Sequence, residues 1–285
     1  MSRPTTEAPS TAGEMLERAR AFLERRDLPE GRLEAELLVA HALGLDRLRL
    51  FLALDRPVTA AEVDRARELL VRRGKRVPVA HLTGRREFYG RSFAVDRRVL
   101  VPRPETELLC DLARAIARER GAAPRIADVG TGSGCIAITL ALEVPGSRVR
   151  AVDVSPEALE VARANAASLD AEVEFVLGDG PESLGEERFD LVVSNPPYVL
   201  RGERETLAPE VRDFEPELAL YLPADDPDHW LRRLLAAGLE RVAPGGALLV
   251  ELGAGQAARA LELAGADARV HEDLARIPRV LEVRA

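Results

Sequence analysis

The chain has 285 residues, 46% of them hydrophobic and 31% charged, enough to bury the core of one large or two ordinary soluble domains. A net charge of −8 argues against a general nucleic-acid binder, whose affinity comes from neutralising phosphates. No apolar run is long enough for a membrane span and no signal-peptide pattern opens the chain, so a cytoplasmic location without a membrane partner is expected. The two cysteines, Cys110 and Cys135, have no CxxC spacing and no nearby histidine; they read as reduced, buried thiols, and no metal site is expected.

Residues 1–10, rich in Pro, Ser and Thr, are expected to be disordered. Residues 11–77 read as a small helical domain. Thr11 with Glu14 makes a capping box, "RLEAELLVAHAL" is a second helix ended by Gly44, "DRLRLFLAL" a short third, and a fourth runs from Thr59 to Gly74. Residues 78–104 mix aromatic and β-branched residues with partial alternation, which predicts a β-hairpin linker. Between Arg65 and Arg103 twelve basic residues face only Glu68, Glu87 and Asp96, which is either a docking face or a solvated surface.

From 105 to 285 strands and helices alternate. Apolar runs at 125–130, 148–154, 173–179, 189–195 and 246–253 read as buried parallel strands, with helices near 105–120, 135–143, 156–168 and 227–242 between them. The C-terminal stretch from Arg269 supplies one or two more strands. This predicts an α/β doubly wound sheet.

Two motifs sit at the strand ends. "DVGTGSG" places Gly130, Thr131, Gly132, Ser133 and Gly134 after the first strand, a turn that lets a ligand approach the backbone closely. Asp153 ends the second strand, where an acid takes ribose hydroxyls, and Asp179 with Gly180 follows the third. No lysine follows the glycines, so the loop is not a P-loop. The constellation looks like the S-adenosylmethionine pocket of class I (Rossmann-like) methyltransferases.

The fourth strand ends in Asn195, Pro196, Pro197 and Tyr198. Two prolines stop a ladder, because neither has an N–H to donate. A planar amide nitrogen shares its lone pair and is a poor nucleophile. Two acceptors on its N–H groups orient it and stabilise the positive charge that grows as a methyl group arrives. The Asn195 oxygen and the Pro196 carbonyl suit that role, and Tyr198 offers a flat face.

Asn-Pro-Pro-Tyr in this position is similar to the amino-group N-methyltransferases acting on adenine N6, guanine N2 or protein glutamine. "REFYGRSFAVDRRVLVPRPETE" (86–107), the helical domain before it and "LERVAPGGALLVELGAGQ" (239–256) resemble the peptide-chain release-factor glutamine methyltransferases, the PrmC/HemK family. The resemblance implies S-adenosylmethionine as cofactor. It implies the glutamine of the Gly-Gly-Gln loop of class 1 release factors as substrate, with N5-methylglutamine as product, and a helical domain that docks the release factor. It places residues 130–134 at the methionine and ribose, Asp153 at the ribose, Asp179 and Gly180 at the adenine, and Asn195 to Tyr198 at the substrate amide, with Asn195 touching the cofactor as well. Two departures stand out. Gly180 replaces a bulky residue, so adenine packing must come from elsewhere, and "PADDPD" replaces the family's Gly-Gly-x-Asp-Gly after "FEPELALYL". The rival reading is a nucleic-acid N-methyltransferase, which the Arg65–Arg103 cluster would suit and the acidic pI would not. A protein that binds the cofactor without catalysis would be expected to carry an altered acceptor motif. No stable nucleic-acid partner is expected, and "GAGQ" (253–256) reads as a turn.

Overall fold

A computed structural model describes residues 8–26, 28, 30–121 and 123–285. The chain divides into two compact units, Met1–Gly84 with Pro209–Phe214, and Arg85–Ala208 with Glu215–Ala285. The expected linker is split between them: its first turn of helix belongs to the first unit and its hairpin to the second.

The first unit holds α1 (Ala12–Glu24), α2 (Gly31–Ala42), α3 (Arg47–Leu52), α4 (Ala60–Gly74) and α5 (Val79–Thr83). Apolar residues at helical spacing, Met15, Leu16, Ala19 and Leu23 from α1 with Leu38, Val39 and Leu70, close one core. Most of the stretch read as disordered, residues 1–7, lies outside the described residues. At its end Ser10 is engaged: its N–H and hydroxyl both donate to Glu14. The capping box read at Thr11 is therefore only half formed. The Thr11 hydroxyl accepts from the Glu14 N–H, but the Glu14 carboxylate reaches one residue further back. A complete box stands at Thr59 and Glu62 instead, opening α4. Helix α5 was absent from the sequence reading; five residues are too few to show a period.

The second unit starts with a hairpin, β1 (Arg85–Phe88) and β2 (Arg91–Ala94), and continues with α6 (Glu107–Glu119), β3 (Arg125–Val129), α7 (Cys135–Glu143), β4 (Arg148–Asp153), α8 (Pro156–Ser168), β5 (Val173–Leu177) and β6 (Phe189–Ser194). Short turns, among them α9 (Pro209–Arg212, in the first unit) and α10 (Glu217–Leu220), lead to α11 (His229–Arg233). One π-helical turn (Leu234–Gly238) extends α11, and β7 (Val242–Glu251), α12 (Ala257–Ala264), β8 (Ala268–Glu272) and β9 (Pro278–Arg284) complete the chain.

The seven-stranded sheet has the order β5-β4-β3-β6-β7-β9-β8. It is parallel from β5 to β7, while β9 pairs antiparallel with both β7 and β8. The central strands read as continuous apolar runs because both faces are covered. Leu191, Val193, Ala247 and Leu249 join a core with α6, α7 and the hairpin's Phe88 and Phe93. Their alternates Val192, Leu248 and Val250 join a second core with Leu231, Leu234 and Ala260. The run at 173–179 departs from that pattern: β5 is an edge strand that ends at Leu177, and Leu177 is 58% exposed. Cys110 and Cys135 are both free and buried, and burial raises both thiols, Cys135 to about 12.

Candidate active site

Chain direction reverses its sideways progress at β3: β4 lies on one side of it and β6 on the other. In such sheets ligands bind beyond the C-terminal ends of the strands at this switch point. Val129 pairs in register with Val152 and with Ser194, so the glycine loop, Asp153 and Asn195 emerge level with one another. A cleft opens there, and Gly130, Gly132, Asp153, Asp179, Gly180, Asn195, Pro196 and Pro197 all line it.

The loop is held from below. Asp128, fully buried, accepts from the Thr131 hydroxyl at 2.6 Å and from the Ala137 N–H at 3.2 Å. Burial pushes its carboxyl up to about 7, against the pull of those two donors. Gly130 and Thr131 both donate to the Val152 carbonyl, which straps the loop to β4. Gly134 has φ +81° at the start of α7, and a Cβ there would lie 2.9 Å from the Ile138 side chain and 3.2 Å from Ala162. It is a close-packing glycine. Thr131 and Gly134 thus support the loop from behind and Ser133 is buried off the cleft, whereas Gly130 and Gly132 face it; a Cβ on either would meet nothing within 4 Å.

Asp153 is part of the same construction. Its Oδ2 accepts from the Gly132 N–H at 2.7 Å and its Oδ1 from the Ser155 N–H at 2.9 Å. Burial raises its carboxyl, and the N–H groups of Ser155, Gly132 and Val154 work the other way. Of the carboxylate's four acceptor sites, one is left for a hydroxyl donor.

Asp179 stands two residues beyond β5, and its Oδ1 accepts from Arg233 Nη1 at 2.9 Å. The Arg233 guanidinium covers Gly180, where a Cβ would lie 2.5 Å from Cζ. Arg233 Cζ is in turn 5.2 Å from the centre of the Trp230 ring, and Trp230 lines the cleft. The space left by Gly180 is filled from α11, by residues the sequence reading passed over. Trp230 is the chain's sole tryptophan, and that was the available signal.

Asn195 is the first residue past β6, and its Nδ2 donates to Thr106 Oγ1 at 3.3 Å. Tyr198 sits apart from the other motif residues. Its ring lies against Gly253, where a Cβ would meet Cδ2 at 2.8 Å, and burial raises its phenol. Beyond it, Val199 exchanges backbone hydrogen bonds with Leu220 and Leu222, which brings Pro216, Leu218 and Ala219 to the cleft. Arg103 ties this segment to "PRPETE": its Nη2 reaches both oxygens of Glu215, at 2.6 and 2.8 Å. The acidic "PADDPD" run is held by arginines, with Asp226 paired to Arg232 and Asp228 to Arg232 and Arg259. "GAGQ" is a turn as expected, closed by the Gln256 Oε1, which accepts from the Gly253 N–H.

Much of the basic cluster is engaged in pairs: Arg73 with Glu34, Arg91 with Glu143, Arg98 with Asp96 and Arg103 with Glu215. Among the described residues no group of three or more His, Cys, Asp or Glu is placed to hold a metal ion, and no helix is long and apolar enough to cross a membrane.

The open cradle over Gly130 and Gly132, with a buried carboxylate beside it, fits a nucleoside carrying hydroxyls and a charged methionyl tail. Comparison with known proteins agrees. The model of the PrmC N-terminal domain matches residues 14–84, and that of the methyltransferase small domain matches residues 106–210. A T. Thermophilus 16S rRNA methyltransferase solved with AdoMet and guanosine is 17% identical with a TM-score of 0.50; the match covers 70% of this chain and 49% of that one, and shows the fold alone. The release factor glutamine methyltransferase of Chlorobaculum tepidum is 42% identical over 95% of this chain and 96% of its own length. That of Koribacter versatilis is 43% identical over 95% and 97%. At that identity over nearly the full length, the chain belongs to the release factor glutamine methyltransferase family.

Proposed function

We infer that this protein methylates the side-chain amide nitrogen of the glutamine in the Gly-Gly-Gln motif of class 1 release factors. The observation that carries the reading is the convergence of the glycine loop, Asp153 and Asn195-Pro196 on one cleft in a chain of this family. S-adenosylmethionine supplies an electrophilic methyl group when bound. Gly130, Gly132 and Asp153 hold its methionyl and ribose parts, and Trp230, whose ring is backed by the Arg233 guanidinium, provides the flat wall that Gly180 lacks. The Asn195 oxygen and the Pro196 carbonyl accept the two N–H groups of the substrate amide. That fixes its plane, favours loss of planarity at nitrogen and stabilises the charge developing there. Asn195 is an acceptor and not a base; the proton leaves to water after transfer. The helical unit docks the release factor.

The test is mass spectrometry of purified release factors incubated with the protein and labelled S-adenosylmethionine. One methyl group on the Gly-Gly-Gln glutamine is expected. Label on RNA or DNA in a parallel tube, with none on the release factor, overturns the reading in favour of a nucleic-acid substrate. The Asn195→Ala variant is expected to bind cofactor as the wild type does and to lose roughly 10²- to 10³-fold in turnover, as when one transition-state hydrogen bond is removed.

A further inference from the structure

An asparagine amide has two ends of similar shape and opposite chemistry, an oxygen that accepts and an NH2 that donates. For Asn195 to hold a substrate N–H, the oxygen must face the cleft. Nothing in Asn-Pro-Pro-Tyr itself decides which end does. The decision comes from behind. Asn195 Nδ2 donates to the Thr106 hydroxyl, and a third group stands beside it: β6 and β7 pair Ser194 with Val250, so Glu251, the last residue of β7, follows level with Asn195. Glu251 is 4% exposed, and its Oε2 has no hydrogen-bond partner. A buried carboxyl with an empty acceptor is costly, and it sits behind the residue on which the reaction turns.

We propose that Glu251 is a positioning residue, which through Thr106 holds the Asn195 amide with its NH2 turned inward and its oxygen toward the cleft. The inference rests on the reading of Asn195 as the acceptor for the substrate amide. The direction follows from donor counting. An ionised carboxylate has only acceptors, so the Thr106 hydroxyl spends its single proton on Glu251. The lone pairs of Thr106 Oγ1 then face Asn195 and demand a donor, which is the NH2 end. Protonation of Glu251 reverses the chain. The acid donates to Thr106, the hydroxyl proton turns to Asn195, and the amide is free to flip its oxygen inward. The flipped amide presents an NH2 to the substrate's NH2, two donors facing each other.

Burial pushes the Glu251 carboxyl up to about 7; Glu105 also raises it, while Thr106, Arg279 and Asn195 lower it. The other titratable groups that its charge reaches are Tyr198 and, on the core side, the Cys110 and Cys135 thiols, both protonated. The productive orientation therefore gains population as pH rises through neutrality.

The experiment measures kcat and KM for methylation of a purified release factor from about pH 6 to about pH 8.5, for wild type, Glu251→Gln and Thr106→Val. Wild-type kcat is expected to rise with a midpoint at about 7. Glu251→Gln offers either a donor or an acceptor to Thr106, so it is expected to lower kcat roughly 10- to 100-fold at the upper end and to flatten the rise. Calorimetric affinity for S-adenosylmethionine should stay within about threefold, since the cofactor cradle is untouched. A merely structural role would lower the amount of folded protein without changing the shape of the profile. Thr106→Val breaks the same chain at its middle and carries the test should Glu251→Gln fail to fold. Retention of the wild-type rise in whichever of these variants is folded overturns the inference, as does unchanged kcat. If the wild type places no methyl group on glutamine, the reading of the reaction falls and this inference with it. An active wild type whose variants keep its profile sinks this inference alone.

Discussion

Asp153 offers the sharpest test of the proposed cofactor cradle, in which one carboxylate does two jobs. Its oxygens already accept from the Gly132 and Ser155 N–H groups, at 2.7 and 2.9 Å. In Asp153→Asn one oxygen becomes an NH2, and whichever way the amide turns, one of those two backbone donors meets another donor. A charge-assisted hydrogen bond contributes about 1.5–3 kcal/mol, and a buried N–H left unpaired costs about 1–3 kcal/mol. Removing a carboxylate that burial already disfavours returns part of this, so the expected loss of stability is about 1–3 kcal/mol. On the ligand side, one charge-assisted acceptor for a ribose hydroxyl disappears, and the cofactor Kd should rise about 10- to 150-fold. Urea unfolding and calorimetric titration with S-adenosylmethionine measure the two effects separately. The control is Ser155→Ala, which removes the cap of α8, where the Ser155 hydroxyl accepts from the Ala158 N–H at 3.1 Å. It should cost about 1 kcal/mol of stability and, although Ser155 also lines the cleft, weaken affinity clearly less than Asp153→Asn does. An Asp153→Asn protein that binds cofactor as the wild type does removes Asp153 from the pocket. Equal weakening in Ser155→Ala would show that a loosened α8, and not the missing acceptor, is responsible.

Two further outcomes follow from strain and from burial. Gly180 has φ +71° and ψ −169°, a region that is essentially glycine's alone, so Gly180→Ala should cost about 1–3 kcal/mol in urea unfolding. The cost should persist in an Arg233→Ala background; if it vanishes there, the contact with the guanidinium was the whole effect and the backbone argument is wrong. Asp128 has a carboxyl raised from 3.8 to about 7, so the folded state holds its proton more tightly than the unfolded chain. Its share of stability is fully present at pH values below 3.8 and is lost as pH rises through about 7, by up to roughly 4 kcal/mol. Asp128→Asn should flatten the decline of unfolding free energy across that window, and a variant with the wild-type slope would refute the assignment.

The parts of the fold legible in the sequence are those with local causes. Five strands and the four longer helices of the first unit announce themselves by period, by cap and by glycine stop, and the glycine loop, Asp153 and Asn195 each stand at a strand end. Position in the sheet is a different matter. The C-terminal stretch reads as strand, but nothing in its residues says that β9 inserts between β7 and β8. The run at 173–177 is apolar enough for a central strand and lies at an edge. The Thr11 box matched its pattern while Ser10, one residue upstream, took the carboxylate. Helix α12, "AARALELA", went unread because it spans only eight residues and no side chain caps its start.

The site repeats this division at the level of single atoms. A motif names the groups that face a ligand, since those stand next to one another in sequence. It does not name the groups that decide how they face it. Gly180 looked like a defect in the adenine wall, and the repair comes from Trp230 and Arg233, some fifty residues further along the chain. Asn195 looked self-sufficient, yet its amide has no intrinsic direction, and the hydroxyl and carboxyl behind it belong to the turn before α6 and to the end of β7. Both are buried, and a buried polar group is tolerated only with a partner. The polar atoms without partners are therefore informative in themselves. Glu251 Oε2 is one of them, and it stands level with Asn195, where a charge would set the sense of the hydrogen-bond chain proposed to hold the substrate amide.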